Sequence, residues 1–212
     1  GKYFSDDLEK IIDYILGLYP EKFIDVVGFS LSGNILLKYL GEKKSEPAKI
    51  RKALAVNPPI DLKRASLILS KTKKGRLFNS YFMKPIHLQG KALAECFPGY
   101  LAPSGNEKTI LEFDIHYTAP AAKFNDVDDY YSNCSAKNYL KDITVPTTIL
   151  SALDDPFIES DIFKSVRMSS AINLNSPDQG GHMGYVSSDL TPWGDCRWMD
   201  FKVVDWSGEG RE

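Results

Sequence analysis

Three short stretches of this chain carry residue types that do chemistry together. The first runs Phe23-Ile24-Asp25-Val26-Val27-Gly28-Phe29-Ser30-Leu31-Ser32-Gly33-Asn34. It reads as a buried strand, a sharp turn and a helix start, with Ser30 at the apex. A serine hydroxyl is a poor nucleophile until a base takes its proton, and the base needs an acid to orient it. A strand-turn-helix apex holds such a serine clear of a sheet, and its usual pattern is G-x-S-x-G. Gly28 and Ser30 fit that pattern. Ser32 occupies its last position, and the glycine follows one step later, at Gly33. A tight turn tolerates a small side chain there, but the Ser32 hydroxyl is expected to perturb it.

The acid and the base stand further along. Residues 145–151 read as a strand that leads on to Asp154-Asp155-Pro156-Phe157. Residues 176–184 form a glycine-rich loop after another strand, with His182 among Gly180, Gly181 and Gly184. Such neighbours let an imidazole approach a serine without steric conflict. Asp155 is the expected acid, because it sits a few residues past its strand beside the Pro156 turn. Asp154 is expected to serve that turn or to cap a helix. Asp178 precedes His182 in the same loop and reads as a turn former, and Asp25 lies inside the strand of the nucleophile. His87 and His116 fall away from any strand-end glycine loop, which argues against catalysis by either. Each stretch alone also reads as an ordinary turn or loop. Together they stand at strand ends in the order Ser30, Asp155, His182, one of the known chain orders of a catalytic triad.

These side chains need a scaffold to position them. Ser5 is placed to cap a first helix, with Asp6, Asp7 and Glu9 at its positive end. Leu8, Ile11, Ile12, Ile15 and Tyr19 follow at helical spacing until Pro20. Strands are predicted at 23–27, 52–56, 145–151 and 171–174. Helices are predicted at 31–40, closed by Gly41 as the residue after the helix, near 159–168, and at 196–206. Strands alternating with helices predict an α/β domain over 1–212, a parallel sheet with helices on both faces. The interval 61–141 breaks the alternation. Polar, aromatic and mostly helical in pattern, it is expected to form a cap-like insertion over the carboxyl ends of the strands, where open α/β sheets bind ligands. Within it, Lys63, Arg64, Lys71, Lys73, Lys74 and Arg76 read first as a solvated face and second as a weak contact with an anionic membrane surface. Phe78, Tyr81, Phe82 and Met83 form a stripe that either packs the insertion or lines a pocket, with packing slightly favoured.

Composition sets the outer bounds. A chain of 212 residues, 43% hydrophobic and 25% charged, can bury one sizeable core. A net charge of −2 gives no ground for nucleic-acid binding. The apolar runs are too short to span a membrane, and no leader is visible at the start. Cys96, Cys134 and Cys196 offer neither metal-ligand spacing nor a disulfide framework, so a reducing, cytoplasmic setting is expected.

With these residues in hand, the chain resembles the YheT-like family of α/β-hydrolases. The likeness is carried by Gly28-Phe29-Ser30-Leu31, Gly33-Asn34 and Lys38-Tyr39-Leu40-Gly41 around the turn. In mid-chain it is carried by Glu112-Phe113-Asp114, Thr118-Ala119, Tyr130-Tyr131 and Cys134-Ser135. It ends on Asp154-Asp155-Pro156-Phe157 and Gly180-Gly181-His182-Met183-Gly184. The resemblance implies an α/β-hydrolase fold present in part. Family members have several strands before the helix that opens this chain, so the missing amino-terminal part of the same protein is an expected partner. It implies Ser30 as nucleophile, Asp155 as acid and His182 as base. The backbone N–H of Leu31 would be one oxyanion donor, and the other would come from the preceding strands. The implied activity is hydrolysis of carboxylic esters, whether short-chain, acylglycerol or phospholipid, without metal or cofactor. Two alternatives stand beside it: an acyltransferase using the same triad, and a non-catalytic lipid-binding or inactive fragment.

Overall fold

A computed structural model describes residues 4–42 and 49–208. The expectation about a leader falls on the first three residues, which lie outside the described ones. Helix α1 (Phe4–Leu18) leads to strand β1 (Ile24–Phe29), which turns sharply into α2 (Leu31–Gly41). Strand β2 (Ile50–Val56) follows. Helices α3 (Leu62–Lys71) and α4 (Lys73–Cys96) come next, then α5 (Ile110–Phe113) and a π-helical turn at Asp114–Thr118. Helices α6 (Ala119–Ala121) and α7 (Val127–Cys134) and two 3-10 turns complete the segment before β3 (Thr147–Leu150). Helix α8 (Ile162–Ser165), β4 (Ile172–Asn175) and α9 (Trp198–Gly208) close the order.

The strands pair in parallel in the order β1-β2-β3-β4. Successive strand residues face opposite sides, and the core divides accordingly. Val26, Ala53, Ala55 and Ile149 pack on one face, and Val27, Leu54, Val56 and Leu150 on the other. All three crossovers cover the first face, through Leu36, Leu37 and Leu40 of α2, Leu140 and Ile143 before β3, and Ile162 and Phe163 of α8. Same-handed crossovers give this result when neighbouring strands follow one another in sequence. Helix α9 covers the second face with Trp198, Met199, Val203 and Trp206. Every strand therefore delivers its carboxyl end to the same edge of the sheet, where Ser30, Asp155 and His182 are found.

Two local expectations need correction. Ser5 lies inside α1 rather than capping it. It is buried, and its hydroxyl accepts from Lys38 Nζ at 3.1 Å. Lys38 is itself buried and also pairs with Glu42. A buried ammonium needs such acceptors, and this requirement outweighs capping. Gly41 is the last residue of α2 rather than the one after it, and what calls for glycine there is packing, since a Cβ would collide with the backbone carbonyl of Tyr139.

The mid-chain residues lock the segment between β2 and β3 to itself and to α2. Asn34, buried in α2, donates to Cys134 O at 2.9 Å and accepts from Ala136 N at 2.8 Å. Ser135 Oγ accepts from Leu62 N at 3.0 Å. The Tyr131 hydroxyl lies 2.8 Å from both Asp114 Oδ2 and Ser66 Oγ.

Burial raises the pKa of the Asp114 carboxyl from 3.8 to about 6, against the pull of its hydroxyl partners Thr118 and Tyr131. The folded protein thus holds a proton that the unfolded chain releases between about pH 4 and 6, and stability falls as pH rises through that window. At neutral pH the ionised group costs on the order of 2–3 kcal/mol. Asp114→Asn keeps an acceptor for Tyr131 and removes the charge. Its denaturation midpoint should match that of the wild type near pH 4 and exceed it at pH 7. Parallel midpoint-versus-pH curves would rule this out.

Candidate active site

The turn after β1 is built around backbone that only certain residues accept. Ser30 sits at φ 49° and ψ −122°, a conformation that costs a non-glycine residue on the order of 1–3 kcal/mol. The turn is held by Ser30 N donating to Val56 O at 2.8 Å and by Gly33 N donating to Ser30 O at 2.9 Å. A Cβ at Gly28 would lie 2.7 Å from Ser32 O and 2.8 Å from Gly33 Cα, so strand and helix close to a distance only glycine permits. The expected disturbance from Ser32 does not occur. Its hydroxyl donates to Phe29 O at 2.7 Å and accepts from Phe29 N at 2.8 Å, closing the turn on itself. Ser32→Ala should lower stability by about 1 kcal/mol, the net worth of such bonds at an exposed site. Urea unfolding measures this, and an unchanged midpoint would mean that water replaces both bonds without cost.

Three side chains meet at the strand ends. His182 Nε2 lies 2.8 Å from Ser30 Oγ, and His182 Nδ1 lies 2.7 Å from Asp155 Oδ2. The other Asp155 oxygen, Oδ1, accepts from Phe157 N at 2.9 Å and Ile158 N at 3.1 Å. The Asp155 side chain has no solvent exposure and that of His182 only 13%, so this chain of bonds is largely shielded from water. With Asp155 accepting from Nδ1–H, Nε2 is left as the acceptor facing the serine. Leu31 is the first residue of α2. Its N–H is one of the amides at a helix start that no carbonyl four residues back can satisfy, and the positive end of the helix dipole lies there.

The other acids and histidines go elsewhere. Asp25 pairs with Arg51 on β2, with Arg51 Nε 2.8 Å from Asp25 Oδ1. His87 lies 3.0 Å from the buried carboxylate of Glu107, and His116 is exposed on the π-helical turn.

Two residues hold the histidine loop in ways the sequence did not reveal. Asp154 Oδ1 accepts from Gly180 N at 2.8 Å and Gly181 N at 2.7 Å, so the paired aspartates divide the work: Asp155 contacts the imidazole and Asp154 the loop that carries it. Asn57, fully buried just past β2, adopts φ 42°. Its side chain donates to Gly181 O at 3.0 Å and to His182 O, and accepts from Ala152 N at 3.0 Å and Tyr185 OH at 2.8 Å. Burial raises the pKa of the Tyr185 phenol to about 12, which keeps it a donor, and its ring stacks on Trp198 of α9 at 5.8 Å. One amide thus joins the ends of β2 and β3 to the histidine loop. An asparagine between a strand and Pro58-Pro59 signals left-handed backbone, but its side-chain partners lie 95 to 128 residues away.

An aromatic chain reaches the site from α4. Phe157 meets the His182 ring edge-on at 4.3 Å, and Phe78 and Phe82 contact Phe157 at 4.7 and 6.4 Å. The stripe read from the sequence therefore extends beyond the packing of its own segment.

No family model matches the chain. Among curated proteins, the candidate esterase YheT of Escherichia coli is 29% identical over 185 residues, covering 85% of this chain and 53% of YheT. Monoacylglycerol lipase ABHD2 of Mus musculus is 27% identical over 222 residues, covering 93% of this chain and 50% of its own length. A monoacylglycerol lipase of Saccharomyces cerevisiae is 26% identical over 191 residues, covering 86% and 42%. The chain spans about half the length of these relatives. Among solved structures, the esterase EaEST from Exiguobacterium antarcticum matches 98% of this chain and 74% of its own, with TM-score 0.53 at 14% identity. Acylaminoacyl peptidase from Pyrococcus horikoshii matches 94% of this chain and 26% of its own, with TM-score 0.51 at 12% identity. At such identities these two matches speak for the fold alone.

Proposed function

We propose that this chain, similar to the esterase YheT and to monoacylglycerol lipases, is part of a YheT-like α/β-hydrolase that hydrolyses carboxylic esters through an acyl-enzyme. Ser30 Oγ attacks the acyl carbonyl while His182 Nε2 takes its proton. Asp155 holds Nδ1–H and stabilises the imidazolium that forms. The N–H of Leu31 binds the developing oxyanion. His182 then gives the proton to the departing alcohol, leaving an ester on Ser30. Water, deprotonated by His182, attacks that ester and releases the acid and the free serine. The observation that carries this reading is the pair of bonds on one imidazole, 2.8 Å to Ser30 and 2.7 Å to Asp155.

The proposed substrate class rests on relatives and surroundings together. Two of the relatives are monoacylglycerol lipases, and the aromatic side chains beside His182 suit an apolar acyl chain. In this reading acylglycerols and short-chain esters are the substrates, and segment 61–141 serves as the cap. The test is product analysis of the intact protein with a monoacylglycerol and a series of p-nitrophenyl esters, with and without added methanol. Free fatty acid is the expected main product in both conditions. A methyl ester formed to the exclusion of acid would make the protein an acyltransferase. No turnover of any ester would overturn the reading.

A further inference from the structure

Helix α4 has an outer face that the ester chemistry does not use. The helix is 24 residues long, about 36 Å at the usual rise. On its outer side Leu77, Tyr81 and Leu88 are 75%, 74% and 61% exposed. At about 100° per residue these three fall within roughly 40° of one another, on one stripe. Lys73, Lys84 and Lys91 lie along the same side, with Lys74 and Arg76 near the amino-terminal end, and all five are exposed. The helix thus sets five cations against one carboxylate, Glu95, in a chain of net charge −2. Among the described residues, none of the five has a carboxylate within 4.0 Å.

A merely solvated helix has no use for an apolar ridge, and an acidic protein partner would need only the cations. Ridge and lysines on one face match a helix lying in the plane of an anionic bilayer surface. Among the described residues no helix is long and apolar enough to cross a membrane, so the geometry is that of a surface contact. We infer that the outer face of α4 docks on an anionic lipid surface. Leu77, Tyr81 and Leu88 enter the headgroup region, and the lysines lay their stems along it with their ammonium groups toward the lipid charges. The same helix carries Phe78 and Phe82 to Phe157 and so to the edge of His182. The lipid contact and the candidate site therefore share one rigid element.

The test is co-sedimentation of the intact protein with vesicles of phosphatidylcholine alone and of phosphatidylcholine mixed with phosphatidylserine. Binding should favour the mixed vesicles and weaken with salt. A variant combining Lys73→Gln, Lys84→Gln and Lys91→Gln should lose roughly fivefold per cation, or about a hundredfold in all. A second variant, Leu77→Ser with Tyr81→Ser, should bind the mixed vesicles about tenfold or more weakly yet retain any binding to soluble polyglutamate. All five positions are exposed, and thermal midpoints confirm that each variant is folded. Mixed-vesicle binding unchanged in both variants would overturn the inference. So would binding to polyglutamate with no preference for the mixed vesicles, which would mark an acidic protein partner instead. Binding is read without turnover, so its failure leaves the ester-hydrolase reading untouched.

Discussion

Ser30→Ala should lower kcat/KM for ester hydrolysis by on the order of 10⁴-fold or more, with stability changed by no more than about 1 kcal/mol. In the proposed mechanism the rate loss is large because no other group forms the acyl intermediate. It is not total, because His182 would still activate water and the Leu31 amide would still bind an oxyanion. The stability change is small because the Ser30 hydroxyl makes one side-chain bond, to His182, at a half-exposed position. The turn itself is held by backbone bonds, by the two close-packed glycines and by Ser32, none of which the substitution touches. Substrate affinity should change little, so the loss falls on kcat. Steady-state kinetics with unfolding measured on the same preparation checks both halves. A loss of only a few fold would remove Ser30 from the chemistry.

The second large effect separates the two adjacent aspartates. Asp155→Asn should cost on the order of 10⁴-fold in kcat, because an amide group facing Nδ1 can present the wrong partner and reverse the tautomer of His182. Its remaining oxygen can still accept from Phe157 N and Ile158 N, so the fold should survive. Asp155→Ala would also orphan those two buried amides, and a further loss of about 2–4 kcal/mol in stability is expected. Asp154→Asn should behave differently. It weakens the grip on the Gly180 and Gly181 amides, which positions the imidazole only indirectly, so a loss of about 10- to 100-fold is expected. Near-equal effects of the two Asn variants would contradict this division of labour.

The parts of this molecule legible in the sequence are those whose cause is local. The strands at Ile24–Phe29 and Thr147–Leu150 declare themselves by short apolar, β-branched runs. Ser30, Asp155 and His182 declare themselves by residue type, flanking glycines and proline, and position at strand ends. What stayed hidden depends on partners distant in sequence. Asp154 reads as a turn residue until the loop holding Gly180 folds over it. Asn57 reads as the end of a strand until β3 and the histidine loop surround its amide. Ser5 has the sequence context of a cap, yet the buried ammonium of Lys38, 33 residues on, takes its hydroxyl. Ser32 differs from its sequence reading for a geometric reason. At this turn its hydroxyl reaches back to Phe29, so the side chain that looked like an intrusion contributes two bonds.

The most direct measurement is reaction of the intact protein with a fluorophosphonate, followed by peptide mapping of the adduct. The account predicts phosphonylation at Ser30, blocked in Ser30→Ala and strongly slowed in His182→Ala. Labelling of a different serine, or no labelling under conditions that label a control serine hydrolase, would contradict it.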